Sequence, residues 1–276
     1  MPRSLPIIGL AVGSLLTGCI ARSDKGPAGS AVTRTAAAAA LETYADQNVP
    51  LRRPVVVLSG YHTLPIHAAP LASDIARSTS GRREDVLVVS YPLAVSIDDA
   101  VESVIEEVEE RWPSADPAAT VEVDVVGISM GGIVARWAAL PPARRVRDDQ
   151  PAAAGGPKRL RVARLFTFAS PHRGARLAQS LAIDAAAVDL KPGSSLLRTL
   201  DLADRSYELV CYAHTGDLIV GATRTAPPGM HPIWTQGTLL FSHFSVVTNP
   251  IFVQDTVRRL RDEPPLVMPT DPPPRD

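Results

Sequence analysis

The chain has 276 residues, 45% of them apolar, and 28 basic against 29 acidic side chains for a formal net charge of −1. That length and apolar content support one sizeable core and one main domain rather than two. The near-neutral balance lacks the electrostatic footprint that nucleic-acid binding requires, so no nucleic-acid partner is expected.

Taken in chain order, Arg3 gives a positive start and residues 5–16 form a short apolar stretch, too short to cross a bilayer comfortably. Leu16-Thr17-Gly18-Cys19 follows and resembles the lipobox of bacterial lipoprotein signal peptides. The resemblance implies removal of residues 1–18, lipid on Cys19, and an exported protein of the bacterial cell envelope that meets the membrane through that anchor. An ordinary secretory signal with an incidental cysteine is the alternative, and it leaves export unchanged. Residues 19–50, rich in Ala, Gly, Ser and Arg, read as a tether with room for a packing helix over the alanine run at 36–40.

Pro54-Val-Val-Val-Leu58 is a continuous apolar run ended by Ser59-Gly60, as in a parallel strand buried on both faces, and Val86-Leu-Val-Val89 repeats the pattern. Ser96 with Asp99 predicts an N-cap, and Ile97, Val101, Val104, Ile105 and Val108 continue it at helical spacing up to Pro113. The glutamates at 106, 107, 109 and 110 form the solvated face of that helix. A third strand over 121–126 enters Gly127-Ile-Ser-Met-Gly131, a Gly-x-Ser-x-Gly pentad followed by a helix whose buried stripe is Ile133, Val134, Trp137 and Ala138. A hydroxyl attacks a carbonyl only when a tight strand-to-helix turn thrusts it outward, and small flanking residues let such a turn close. Ser129 is therefore the candidate nucleophile. Residues 141–158 read as a surface loop, followed by strands over 163–169 and 207–213 and a sixth over 237–241. Cys211 lies in the fifth of these as a buried free thiol, and no Cys/His metal-ligand spacing occurs, so neither metal nor other cofactor is expected. The proline cluster from Pro264 to Pro274 tolerates neither helix nor strand and reads as a disordered tail over 263–276.

The pentad after a buried strand and Ser170-Pro171-His172-Arg173-Gly174 after the next resemble the α/β-hydrolase lipases and esterases, over residues 52–262 in order and spacing. The resemblance implies an α/β-hydrolase fold: a mostly parallel sheet of about six strands flanked by helices, forming a catalytic domain over 51–262. It also implies the chain order serine, acid, histidine, which places the partners beyond Ser129. Asp217, in Gly216-Asp217-Leu218-Ile219-Val220, resembles the family's acid loop, with a turn cap as its alternative role. His243 lies where the family's base resides; His214 and His231 flank the acid loop, and His172 is expected in the cleft wall, hydrogen bonding within its own loop. The oxyanion donors are expected to be the amides of Met130 and Tyr61. Where the family commonly has His-Gly, this chain has Ser59-Gly60, which puts the supporting hydrogen bonds of that loop at issue. Leu177, Leu181, Ile183, Leu196 and Leu197 suit either an apolar wall over the site or ordinary helix packing.

The expected function is a lipid-anchored serine hydrolase acting on esters or lipids. Two alternatives remain open: an acyltransferase using the same triad, and a non-catalytic envelope binding protein on a hydrolase scaffold. Oligomeric state has no signature in the sequence.

Overall fold

The structure, a computed structural model, describes residues 24–148, 158–180, 183–238 and 241–274. Along the chain these form α1 (Arg34–Tyr44), β1 (Val55–Leu58), α2 (Ala69–Arg77), β2 (Val86–Val89), α3 (Ile97–Arg111), β3 (Ala119–Ile128) and α4 (Met130–Ala139). The second half adds β4 (Arg159–Phe168), α5 (Ala185–Asp189), α6 (Ser195–Leu202), β5 (Glu208–Thr215), β6 (Ile233–Gln236), α7 (Ser242–Ser245) and α8 (Pro250–Leu260).

The six strands make one sheet in the order β2-β1-β3-β4-β5-β6, and every pairing is parallel. Side chains alternate across it, so one apolar run feeds two cores. Val56 and Leu58 pack with α3, α4 and α6, while Val55 and Val57 pack with α1, α2 and α8. All four residues of β1 are buried, which is why this strand reads as an unbroken apolar run rather than an alternating one. The cap of α3 matches its sequence signature: Ser96 Oγ accepts from the Asp99 amide, and the Asp99 carboxylate accepts from the Ser96 amide.

Strand order reverses between β1 and β3, since the chain leaves β1 for β2 on one side and returns to β3 on the other. A crevice opens at the carboxyl ends of strands at such a point. Ser59-Gly60 and Ser129 stand at that crevice, directly after β1 and β3.

Three expectations are corrected. The sixth strand is Ile233–Gln236, whereas Gly237 and Thr238 carry no strand geometry, Phe241 lies in a turn, and residues 239–240 are outside the described set. The tether is corrected in part: residues 24–50 hold the packing helix that the alanine run allowed, since α1, capped by Thr33, buries Ala37, Leu41 and Tyr44 against the α8 side of the sheet. The proline-rich end is likewise docked, as far as Asp271 and the buried Pro273. Asp255 Oδ1 accepts from the amides of Leu266 and Val267, the Val267 side chain is buried, and the Trp234 indole donates to the Asp271 carbonyl. Proline bars helix and strand but not an extended segment whose remaining amides find acceptors. The packed body thus exceeds residues 51–262. Residues 1–23, with the signal-like stretch and Cys19, lie outside the described set.

Candidate active site

Ser129 occupies the elbow between β3 and α4 with φ 51° and ψ −120°, a region costing of order 1–3 kcal/mol for a residue with a Cβ. Two contacts explain why the neighbours must be glycine. A Cβ on Gly127 would lie 2.5 Å from the Gly132 Cα, and one on Gly131 would lie 2.5 Å from the Leu58 carbonyl oxygen. The Ser129 amide donates to the Phe168 carbonyl at 2.8 Å, which ties the turn to β4.

The structure brings together the three side chains that the sequence placed on separate strand ends. Ser129 Oγ lies 3.1 Å from His243 Nε2, and His243 Nδ1 lies 2.9 Å from Asp217 Oδ2. A carboxylate only accepts, so Nδ1 carries the proton and Nε2 is left to accept from the serine hydroxyl. Asp217 is 1% exposed, and its other oxygen accepts from the amides of Ile219 and Val220 at 2.9 and 3.0 Å. Burial opposes ionisation there, but the His243 imidazole and those two amides outweigh it and hold the carboxyl below the usual range. The cap-like bonds and the contact to His243 thus belong to one carboxylate.

His243 rides on α7, a single turn that needs outside support. His214 supplies part of it: Asn249 Nδ2 donates to His214 Nε2 at 3.0 Å, which leaves Nδ1–H to donate to the Ser242 carbonyl at 3.2 Å. His214 is therefore a buried prop beneath the histidine that faces Ser129, a role with no local signal in the sequence. His231 is exposed at the amino end of β6.

The loop after β1, with Ser59 where a histidine was at issue, has hydrogen bonds of its own. The buried Tyr91 hydroxyl donates to the Ser59 carbonyl at 2.6 Å, and Ser59 Oγ and Ser90 Oγ share a hydrogen bond at 2.7 Å. Tyr61 and Ser129 both line a cleft of about 300 Å³. Met130 is the first residue of α4, whose opening amides have no acceptor within the helix.

His172 corrects the expectation of a cleft-wall residue. The turn at 170–174 folds back on itself, with His172 N on the Ser170 carbonyl and Gly174 N on the Pro171 carbonyl. Its imidazole is fully buried between Thr167 Oγ1 at 3.0 Å and an Arg136 guanidinium nitrogen at 3.3 Å. Burial and the neighbouring Arg136 and Arg205 push its pKa well below the ordinary value, so it is a neutral packing group. The cleft is lined instead by Leu177, Ile219, Phe244, Val247 and His67. Of the other apolar residues weighed above, Leu196 and Leu197 are buried core, Ile183 is exposed, and Leu181 is outside the described set.

Most large apolar side chains left in water, including Leu64, Ile66, Leu93, Leu218 and Phe244, follow the carboxyl ends of strands and so rim the same end of the sheet. Cys211 is a buried thiol, pushed up to about 11 by burial. Among the described residues no group of three or more His, Cys, Asp or Glu is placed to hold a metal ion.

No protein-family model and no curated protein matches the chain. Solved structures do. The mature form of Bacillus licheniformis lipase BlEst2 superposes with a TM-score of 0.51 at 15% identity, over 78% of this chain and 94% of that one. Aspergillus fumigatus lipase B gives 0.53 at 16% identity over 80% of this chain, which spans 55% of that longer protein. The chain has the α/β-hydrolase fold. Within that fold the turns that carry Ser129, Asp217 and His243 follow the carboxyl ends of β3, β5 and β6, and among the described residues the sheet has six strands.

Proposed function

We propose that the chain is a serine hydrolase that cleaves carboxylic esters through an acyl-enzyme on Ser129. One observation carries the reading: an unbroken line from Ser129 Oγ through His243 to Asp217, at 3.1 and 2.9 Å, opening on a mostly apolar cleft. In this reading His243 Nε2 takes the hydroxyl proton as Oγ bonds to the ester carbonyl carbon. The oxyanion is met by the amides of Met130 and Tyr61. Collapse expels the alcohol, which takes the proton back from His243, and a water molecule repeats the sequence to release the acid. Asp217 fixes the imidazole tautomer and stabilises its cation between the two steps. The apolar rim and the Leu177, Ile219 and Val247 lining favour an acyl chain over a charged substrate. That both superposing proteins are named lipases supports the same reaction class.

A fluorophosphonate probe tests the reading directly. It should label wild-type protein at Ser129, as read by peptide mass, and label Ser129→Ala not at all. A folded wild type that stays unlabelled would sink the proposal.

We also propose that the protein is exported and held at a membrane by lipid on Cys19, on the strength of the motif at 16–19. Among the described residues no helix is long and apolar enough to cross a membrane. Two or three acyl chains bind far more firmly than one, so release should need detergent. Cys19→Ser should accumulate as unprocessed precursor without incorporated fatty acid, whereas recovery of wild type as a lipid-free soluble protein would refute the anchor.

A further inference from the structure

Two neighbouring side chains of the loop after β1 converge on one carboxylate oxygen from a distant segment. Asp184 Oδ2 accepts from the Tyr61 hydroxyl at 2.8 Å and lies 2.9 Å from His62 Nε2. Its Oδ1 accepts from the Ala187 amide at 2.8 Å, capping α5, so the carboxylate cannot turn away without uncapping that helix. The second His62 nitrogen, Nδ1, lies 2.7 Å from the Pro92 carbonyl oxygen. Both partners of the ring only accept. A neutral imidazole has one N–H and would turn a lone pair toward one of them; the imidazolium satisfies both.

The charge balance agrees with the geometry. The Pro92 carbonyl and the Asp184 carboxylate raise the His62 pKa above its ordinary value. Burial opposes ionisation of Asp184, but the Ala187 amide, His62 and Tyr61 hold its carboxyl below the usual range. Burial and Asp184 push the Tyr61 phenol up to about 12, so it remains a donor. Of the groups packed against His62, Asp184 is the charged one and the Tyr61 ring, 4.2 Å away edge-on, the other titratable one, while the loop before α3 offers only the Pro92 carbonyl.

The clamp closes on the part of the loop that matters most to the chemistry. Gly60 abuts the Ser129 side chain, so that a Cβ there would lie 3.4 Å from Ser129 Cβ, and Tyr61 follows directly. His62 is held at φ 47°, a left-handed conformation uncommon for a residue with a Cβ. With side chains 61 and 62 tied to one oxygen, the peptide units on either side of Tyr61 lose their freedom to rotate.

We propose that Asp184, acting through Tyr61 and the imidazolium of His62, is a pH-dependent clamp that positions the Tyr61 amide for the oxyanion. This rests on the esterase reading given above. Asp184 touches no reacting atom; it is a positioning residue. As pH rises through the folded-state pKa of His62, one of its two contacts changes from donation to lone-pair repulsion, and the amide loses its alignment. An oxyanion donor acts mainly in the transition state, so the loss falls on kcat rather than KM. The stability linked to His62 follows the same sign: full below about pH 6.5, the unfolded value, and lost as pH passes the raised folded value.

The experiment is a pair of pH profiles, kcat and KM, for wild type, Asp184→Asn and His62→Gln on a short activated ester, with fluorophosphonate labelling of each. Asp184→Asn should lower kcat about 10-fold, a fraction of the ~100-fold or more for outright loss of a donor, with KM nearly unchanged. His62→Gln should lower kcat and erase the alkaline limb of the wild-type profile. If both variants fail to fold, the wild type decides: its kcat should decline with the same midpoint at which the His62 ring titrates by NMR, and a flat kcat through that titration overturns the clamp. A labelled, active wild type matched in kcat and pH profile by Asp184→Asn removes the clamp alone. A wild type that neither labels nor hydrolyses esters removes the esterase reading, and the clamp with it.

Discussion

Ser129→Ala and His243→Ala should each lower turnover of a short activated ester by roughly three or more orders of magnitude, and the double variant should be little worse than either. The non-additivity follows from geometry. Ser129 Oγ and His243 Nε2 are 3.1 Å apart and share one proton, so removing either leaves the other without a task. Asp217→Asn should cost similarly or somewhat less. An amide keeps the volume but no longer obliges His243 Nδ1 to carry the proton, so the ring can present the wrong tautomer to the serine. His172→Gln serves as the contrast, since the imidazole between Thr167 and Arg136 is sealed away from the cleft: stability should fall while kcat stays within a few-fold. Steady-state kinetics on variants confirmed as folded by circular dichroism check all five. A folded His243→Ala with near-wild-type turnover would move the base elsewhere.

Asp255→Ala should destabilise the protein by about 3–5 kcal/mol, the range for removing one partner of a buried ion pair. Asp255 is fully buried and serves four donors: the Tyr212 hydroxyl at 2.7 Å, Arg259 Nε at 2.8 Å, and the Leu266 and Val267 amides at 2.7 and 3.1 Å. Its loss leaves Arg259 Nε, the buried Tyr212 hydroxyl and two amides without their acceptor at once, and loosens the proline-rich end, which keeps, from α8, the contacts of Arg258 to the Pro264 carbonyl and of Arg259 to the Val267 carbonyl. At this chain length the expected fall in Tm is about 10 °C. Urea unfolding should show it as a lower midpoint, and proteolysis should open the chain after residue 262 before the sheet is lost. A loss under about 1 kcal/mol, the level of an ordinary surface substitution, would mean that the end is not docked through this residue.

How much of this was legible beforehand depended on where the determining contacts lie. β1 is buried on both faces, so its apolar run announced it, β3 was marked by its β-branched residues leading into the Gly-x-Ser-x-Gly pentad, and the Ser96 and Asp99 cap is a local device readable from spacing. β6 escaped because Ile233-Trp-Thr-Gln236 is a four-residue edge strand with no long apolar run, while the more apolar segment beginning at Gly237 drew the assignment. Ser129 and Asp217 were picked out by short motifs and His243 by its place in the chain order that the resemblance implies, and the three side chains do come within hydrogen-bond distance in sequence. His172 shows the limit of that logic: a motif specifies the residue, but its surroundings, here Arg136 and Thr167, decide whether it meets solvent or core. The packing of the proline-rich end depends on Asp255, and the grip of Asp184 on the loop at 61–62 spans more than 120 positions. No local window contains both partners.

The backbone at Ser129 sets function against durability. Its conformation suits glycine, and the strain comes from the Cβ that holds the hydroxyl in place. Ser129→Gly should therefore yield a chain that is inert and yet harder to unfold than the parent. On the proposed function, the strain at this one residue is stability given up to hold a hydroxyl in place, and the gain on Ser129→Gly measures how much.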